Sequence, residues 1–79
     1  MLFRSAELLL KLSIYFPENA DGYIQVNMTR KDMANLLRMA TESLIRALSH
    51  FNEKKLIKCR GRKIKIVSIK KLEEISKGI

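Results

Sequence analysis

The chain has 79 residues and a formal net charge of +8, from 16 basic and 8 acidic side chains. A domain of this size buries only about 60% of the surface that its unfolded chain exposes, so its core is thin. A deep catalytic cleft is disfavoured, and we expect that the chain is not an enzyme. The positive charge favours a polyanionic partner, but charge alone does not distinguish DNA, RNA and an anionic membrane.

The positive charge is concentrated in the middle of the chain. Residues 29–63 carry ten of the sixteen basic side chains and a net charge of +7. Residues 1–28 have a net charge of −1, and residues 64–79 have +2. In a generic basic surface the charge would be spread more evenly along the chain, so residues 29–63 are predicted to face the polyanion.

Cysteine and histidine are scarce. The single cysteine, Cys59, fits a reducing, cytoplasmic compartment, and the single histidine, His50, leaves no plausible zinc ligand set. We therefore expect no cofactor or metal in this chain. The apolar run at residues 8–16 contains Lys11 and Ser13 and is too short to cross a bilayer, so we expect no membrane partner.

The first predicted element is a helix over residues 2–16. Eleven of the first sixteen residues are apolar, which predicts a helix that is buried on more than one side. Its narrow polar stripe consists of Arg4, Glu7 and Lys11. Pro17 and the turn residues up to Gly22 end the helix. Residues 23–26 alternate weakly and predict a short strand.

Residues 29–54 have the pattern of a helix-turn-helix, two short helices joined by a tight turn. Thr29 is a typical N-cap of the first helix, and Asp32 three residues later completes a variant capping box. The inner face of this helix is predicted to be Met33, Leu36 and Leu37. Apolar residues at i, i+3, i+4 and i+7 predict the buried stripe of the second helix, Leu44, Ala47, Leu48 and Phe51. Its exposed face is predicted to be Glu42, Arg46, Ser49 and Glu53.

Residues 57–67 predict a basic hairpin, or wing, of two strands around Gly61. Cys59 is predicted to be packed in the first strand. Ser68 is predicted to cap a last helix over residues 69–77, which docks through Leu72 and Ile75. The predicted fold over residues 1–79 is therefore a single α+β, mainly α domain: a winged helix-turn-helix with a three-helix core, a small antiparallel wing and a short C-terminal helix.

The order of these elements resembles one family of regulators. The residues that carry the resemblance, at ungapped spacing, are Thr29, Arg30, Asp32, Leu36, Leu37, Glu42, Arg46, Leu48, Leu56 and Ile57. Together they resemble the C-terminal DNA-binding domain of the cyclic-AMP receptor and fumarate-nitrate regulator (Crp-Fnr) family, most strongly over residues 26–67. Members of that family also carry a sensory β-barrel and a dimerisation helix. We expect the sensory domain to be absent here and any effector to bind outside this chain.

Three positions differ from the family pattern. Arg38 replaces the glycine that opens the inter-helix turn, and Lys55 replaces the glycine before Leu56. Ala40 replaces the Ser or Thr that caps the second helix, for which Thr41 is the alternative cap.

The resemblance implies a homodimeric bacterial transcription regulator. It implies sequence-specific binding to a near-palindromic duplex with TGA-containing half-sites, and RNA polymerase is a candidate further partner. By resemblance, Glu42 accepts from a cytosine or adenine amino group and Arg46 donates to guanine. Thr41 and Ile45 lie beside them. Since Thr41 replaces an arginine of the cyclic-AMP receptors, a TTGA half-site is favoured over TGTGA.

Phosphate contacts are predicted at the start of both helices of the helix-turn-helix and at the wing, where amides and basic side chains favour anions, and at Ser49 on the exposed face of the second helix. These predicted contacts are Thr29, Arg30, Lys31, Ser43, Ser49, Arg60, Gly61, Arg62 and Lys63.

Two alternatives stay open at this point. Glu42 and Arg46, one turn apart, would also suit an exposed ion pair that only stabilises the helix. The whole chain would also suit a protein-interaction module that docks a protein through residues 8–10 and makes only non-specific backbone contact with nucleic acid. RNA binding is disfavoured because the aromatic residues are predicted at core or turn positions.

Overall fold

The computed structural model describes residues 2–78. These residues form four helices and one two-stranded antiparallel sheet: α1 (Leu2–Tyr15), α2 (Arg30–Leu37), α3 (Thr41–Glu53), β1 (Ile57–Arg60), β2 (Lys63–Ile66) and α4 (Ile69–Ser76). This order confirms the predicted fold class, a mainly helical winged helix-turn-helix.

Helix α1 supplies one wall of the core and packs on α4, α3 and α2. Its predicted polar stripe is exposed, and Glu7 and Lys11 form an ion pair with a nitrogen to oxygen distance of 3.3 Å. Leu8 and Leu9 are buried, and Leu10 packs against the core. The alternative in which residues 8–10 dock a partner protein is therefore not supported, since these side chains pack within the domain.

The segment between α1 and α2 differs from its prediction. Residues 23–26 do not form a strand; Ile24 instead makes two isolated bridges, with Glu18 and with Ile64 of β2. The Ile24 N–H donates to the Ile64 carbonyl at 2.7 Å, and the Ile64 N–H donates back at 3.3 Å. The Gln25 N–H donates to the Pro17 carbonyl at 3.2 Å, a bond that belongs to the bridge between Ile24 and Glu18.

Helix α2 begins with the predicted capping box. The Asp32 N–H donates to Thr29 Oγ1 at 3.0 Å, and the Thr29 N–H donates to Asp32 Oδ2 at 3.2 Å. Two orphan amides of the first turn are thereby satisfied. The predicted inner face is partly wrong: Met33 is buried and Leu37 packs on the core, but Leu36 is 63% exposed.

The position of Leu36 follows from helix geometry. Successive residues are rotated by about 100°, so Met33, Ala34 and Leu37 share an arc of about 100°. Leu36 lies about 60° outside that arc. Ala34 takes the buried place that the prediction gave to Leu36.

Helix α3 buries the stripe that its periodicity predicts: Leu44, Ala47, Leu48 and Phe51. Ala40 occupies the N-cap position without any side-chain hydrogen bond, and the helix begins at Thr41. Thr41 is thus the first helical residue and does not replace the missing cap.

Both family glycines that are missing here belong to positions with a left-handed backbone. Arg38, at the C-cap of α2, has φ 55° and ψ 44°, and Lys55 has φ 60°. Glycine adopts these angles without steric cost, whereas a residue with a Cβ is strained there. The turn geometry is kept despite the substitutions.

The hairpin and the last helix close the core. Ile57 pairs with Ile66 and Cys59 with Ile64; Ile57 and Ile64 are buried in the core, and β1 packs on α3. Ser68 Oγ accepts from the Lys71 N–H at 3.3 Å, which confirms the predicted cap of α4. As predicted, Leu72 is buried and Ile75 packs against the core.

Two aromatic residues are more exposed than predicted. Phe3 and Tyr15 are exposed at opposite ends of α1, about 18 Å apart along its axis. At that separation they do not form a stacking platform for bases.

Across residues 2–78, no helix is long and apolar enough to span a bilayer.

Candidate nucleic-acid interface

The outward face of α3 is the centre of the candidate interface. Glu42, Arg46 and Ser49 are exposed, as the helix periodicity predicts, and Thr41 is half-buried at the start of the helix. Within residues 2–78, neither Glu42 nor Arg46 forms an ion pair, and the one ion pair there joins Glu7 and Lys11. The alternative of an ion pair between Glu42 and Arg46 is therefore not observed in this structure. Glu42 does not orient the Arg46 side chain.

One flank of α3 meets the wing across a shallow cavity of about 180 Å³. The cavity brings together predicted site residues from two helices, Arg30 of α2 with Ile45 and Ser49 of α3. Ile45 is 47% exposed, so it edges the cavity and still presents apolar surface to a partner. Cys59 of β1 also lines this space.

Cys59 is exposed, contrary to the prediction that it is packed. Desolvation by the surrounding protein raises the pKa of its thiol, while the charge and a hydrogen bond of Arg30 oppose that effect. Sequence neighbours alone did not reveal Arg30, which lies 29 positions away.

The other flank of α3 faces the start of α1. A cavity of about 310 Å³ there is lined by Ser43 and Arg46 together with Leu2, Ala47 and His50. His50 is half-buried, and its ring lies edge-on to Phe51 with centroids 6.1 Å apart. Ser43 and Arg46 thus lie on the flank of α3 opposite to Ile45 and Ser49.

The predicted contacts at the start of α2 differ in what they touch. Thr29 is used as the cap, and Arg30 Nη2 donates to the Gly61 carbonyl at 2.9 Å. Lys31 is exposed, and no side-chain hydrogen bond of Lys31 occurs within residues 2–78. Of these three residues, Lys31 has the side chain most open to a phosphate.

The wing presents a face of four cations. The antiparallel register places Lys58 opposite Lys65 and Arg60 opposite Lys63, and directly opposed residues share one face of a sheet. The Arg60 guanidinium lies 4.9 Å, and the Lys65 ammonium 6.0 Å, from the centre of the Tyr23 ring. Such contacts give partial compensation for the repulsion between like charges.

Lys58 and Lys65 were missed as candidate contacts. The predicted set stopped at the turn residues, of which Gly61 and Arg62 are exposed. The alternation of lysine and isoleucine in β2 already indicated the shared face, but only the strand register shows which cations are opposed. We call Lys58, Arg60, Lys63 and Lys65 the cation ladder.

The described residues offer no cluster of three His, Cys, Asp or Glu side chains that is suited to a metal ion. The geometry instead combines a helix with an exposed polar face and a cationic hairpin beside it. The family model that matches the sequence is described as a Crp-like helix-turn-helix domain, and it covers residues 4–75.

The chain belongs to the Crp-like helix-turn-helix family.

Solved structures of regulators have the same fold. FixK2 from Bradyrhizobium japonicum superposes with a TM-score of 0.83 at 24% identity, over 92% of this chain and 36% of FixK2. The CO-dependent transcription factor CooA from Carboxydothermus hydrogenoformans has a TM-score of 0.83 at 18% identity, over 95% of this chain and 36% of CooA. A CRP/FNR family transcriptional regulator from Thermus thermophilus has a TM-score of 0.84 at 20% identity, over 98% of this chain and 40% of that regulator.

The chain therefore spans between 36% and 40% of the length of these three structures. None of the curated proteins matches its sequence. A Crp-like helix-turn-helix is a type of DNA-binding domain and not of enzyme.

Proposed function

We propose that this domain binds duplex DNA sequence-specifically as the output part of a homodimeric bacterial transcription regulator. The observation that carries the proposal is the exposed face of α3, on which Glu42 and Arg46 form no ion pair within residues 2–78. In a helix-turn-helix, the second helix lies in the major groove and its side chains reach base edges. An acceptor and a fork of donors one turn apart suit that use.

In this proposal, Glu42 and Arg46 contact base edges. Thr41 and Ile45 lie beside them and influence which neighbouring bases the domain prefers. Glu42 accepts from a cytosine or adenine amino group, while Arg46 donates two hydrogen bonds to guanine. The Ile45 side chain is 47% exposed and apolar, which suits contact with a thymine methyl group. The half-site that these residues favour contains TGA, with TTGA ahead of TGTGA.

Phosphate contacts set the position of the domain on the duplex and carry no sequence information. We assign them to groups at the starts of α2 and α3, to Ser49 farther along α3 and to the wing. The exposed members of this set are Lys31, Ser43, Ser49, Arg60, Gly61 and Arg62, and half-buried Lys63 joins them.

A dimer would place two copies of α3 about one helical turn of DNA apart, so the operator is expected to be a near-palindrome. Any effector would bind a sensory domain outside this chain, and this chain would hold no cofactor. RNA polymerase is a candidate partner of the whole regulator, which would act in the bacterial cytoplasm.

The test is the selection of binding sites from a random duplex pool, followed by titration of the selected duplex with salt. Enrichment of a TGA-containing near-palindrome supports the proposal, and enrichment of TGTGA would overturn the preference for TTGA. The logarithm of the affinity should fall with the logarithm of the salt concentration, with a slope of about −0.9 per phosphate contact. A flat salt response and no enriched sequence would favour a protein-interaction module instead.

A further inference from the structure

Arg30 connects the helix-turn-helix to the wing. It is the first residue of α2, and its Nη2 donates to the carbonyl oxygen of Gly61 at 2.9 Å. Its Nη1 lies 3.4 Å from the sulfur of Met33, which is buried. Both terminal nitrogens of this half-buried side chain are therefore engaged inside the domain.

The contact is distinctive on the wing side as well. Gly61 is the first of two residues in the turn between β1 and β2, and its φ of 61° suits glycine at that place. Among the residues that the structure describes, no other side chain donates a hydrogen bond to the hairpin or accepts one from it. Arg30 is thus the side chain that ties the turn to α2 by a hydrogen bond.

We propose that Arg30 is a positioning residue, which fixes the wing turn against α2 so that the wing cations and α3 meet the same duplex. This role rests on the proposed DNA binding, and it replaces the phosphate contact that the sequence predicts for Arg30. A wing held in its bound position loses less conformational entropy on binding than a wing that is free to move.

The guanidinium chemistry explains why the residue is an arginine. Its planar fork directs two N–H groups at fixed angles, so that one reaches Gly61 while the other faces Met33. A lysine carries the same charge on a single flexible nitrogen and does not hold both contacts. The exchange of Arg30 for lysine therefore separates charge from geometry.

The DNA-binding test is a double-mutant cycle between Arg30 and the wing, with Arg30→Gln and Arg62→Gln alone and together. We expect Arg30→Gln to weaken binding about fivefold in the native background and less than about twofold when Arg62 is already glutamine. Arg30→Lys should weaken binding about as much as Arg30→Gln. Independent effects in the cycle, together with full binding by Arg30→Lys, would overturn the proposal in favour of a phosphate contact.

A second readout needs no DNA. Release of the turn should shift the amide resonances of Gly61 and Arg62 in free Arg30→Gln and raise the pKa of the Cys59 thiol further, since the opposing charge is gone. The matched control is Lys31→Gln, which removes an adjacent exposed charge and should leave the resonances and the thiol pKa unchanged.

These readouts separate the two proposals. If the native domain binds no duplex but the amide resonances and thiol pKa shift in Arg30→Gln alone, the proposed function fails and the contact of Arg30 with the turn is supported. If the native domain binds DNA and neither quantity shifts in a folded Arg30→Gln or Arg30→Lys variant, the positioning role is overturned.

Discussion

Helix α3 and the wing lie side by side, but their outward faces differ in charge. On α3, the exposed face carries Glu42, Arg46 and Glu53, so both signs are present. The wing carries the cation ladder, with Lys58 and Arg60 exposed and Lys63 and Lys65 half-buried, and β1 and β2 contain no acidic residue. The two regions therefore offer a partner different chemistry.

This difference indicates a division of labour. A face with acceptors and donors at fixed places discriminates between base pairs, whereas a face of one sign attracts phosphates of any sequence. Opposed like charges destabilise a strand pair, so the wing is less stable by itself than a mixed hairpin would be. The comparison predicts that changes on α3 alter specificity and changes on the wing alter overall affinity.

The largest effect is expected from Arg46→Ala on α3. Loss of the two donors to guanine should cost about 1 to 3 kcal/mol, or about 5- to 150-fold in Kd, on the preferred duplex. Affinity for a scrambled duplex should change much less. The measurement is a fluorescence anisotropy titration of both duplexes at one salt concentration. Equal losses on the two duplexes would show that Arg46 does not read a base.

A smaller and uniform effect is expected from Arg62→Gln at the tip of the wing. Removal of one phosphate contact should reduce the salt slope by about 0.9, which amounts to about fivefold in affinity near 0.15 M salt. The loss should be the same on preferred and scrambled duplexes. Lys70→Gln on α4 is the matched control, because Lys70 is an exposed cation outside the proposed interface, on a helix that packs on α1. A loss confined to the preferred duplex would contradict the division between the regions.

The fold was predictable from the sequence wherever the determinant is local. The capping box needs only Thr29 and Asp32, three residues apart, and the buried stripe of α3 needs only its own periodicity. The predicted strand at residues 23–26 was wrong because strand pairing depends on β2, some forty residues away. Only Ile24 of this segment forms a bridge with β2. The predicted burial of Leu36 was wrong because the elements packed against α2 bury Ala34 instead.

The candidate site divides in the same way. The exposure of Glu42 and Arg46 follows from helix periodicity, so the sequence was sufficient to place them on one face. The contact between Arg30 and Gly61 joins residues 31 positions apart, and no local pattern indicates it. The cation ladder required the strand register, which a sequence pattern leaves open by one residue in either direction.

The two regions also differ in how they are held, and Ala40→Ser tests this difference. The wing turn has the contact with Arg30, whereas the start of α3 has no side-chain cap. Ala40 already has the extended φ of −67° and ψ of 144° that a cap requires. A serine hydroxyl there should add about 0.5 to 1 kcal/mol to the free energy of unfolding, measured in urea. Ala40→Val offers no acceptor, so a gain of the same size in that variant would exclude capping as the cause.

The smallest effect is expected in the stability of the wing itself. Lys58→Gln removes the charge opposite Lys65, one of the two opposed cation pairs of the wing. The free energy of unfolding should therefore rise by about 0.2 to 1 kcal/mol, while the affinity for any duplex falls. Lys58→Arg keeps the charge and should give neither change. Opposite signs for stability and affinity arise only if the ladder is repulsive in the free domain and neutralised by the partner. A loss of stability in Lys58→Gln would mean that contacts within the domain hold Lys58, and that the opposed cations do not destabilise the free wing.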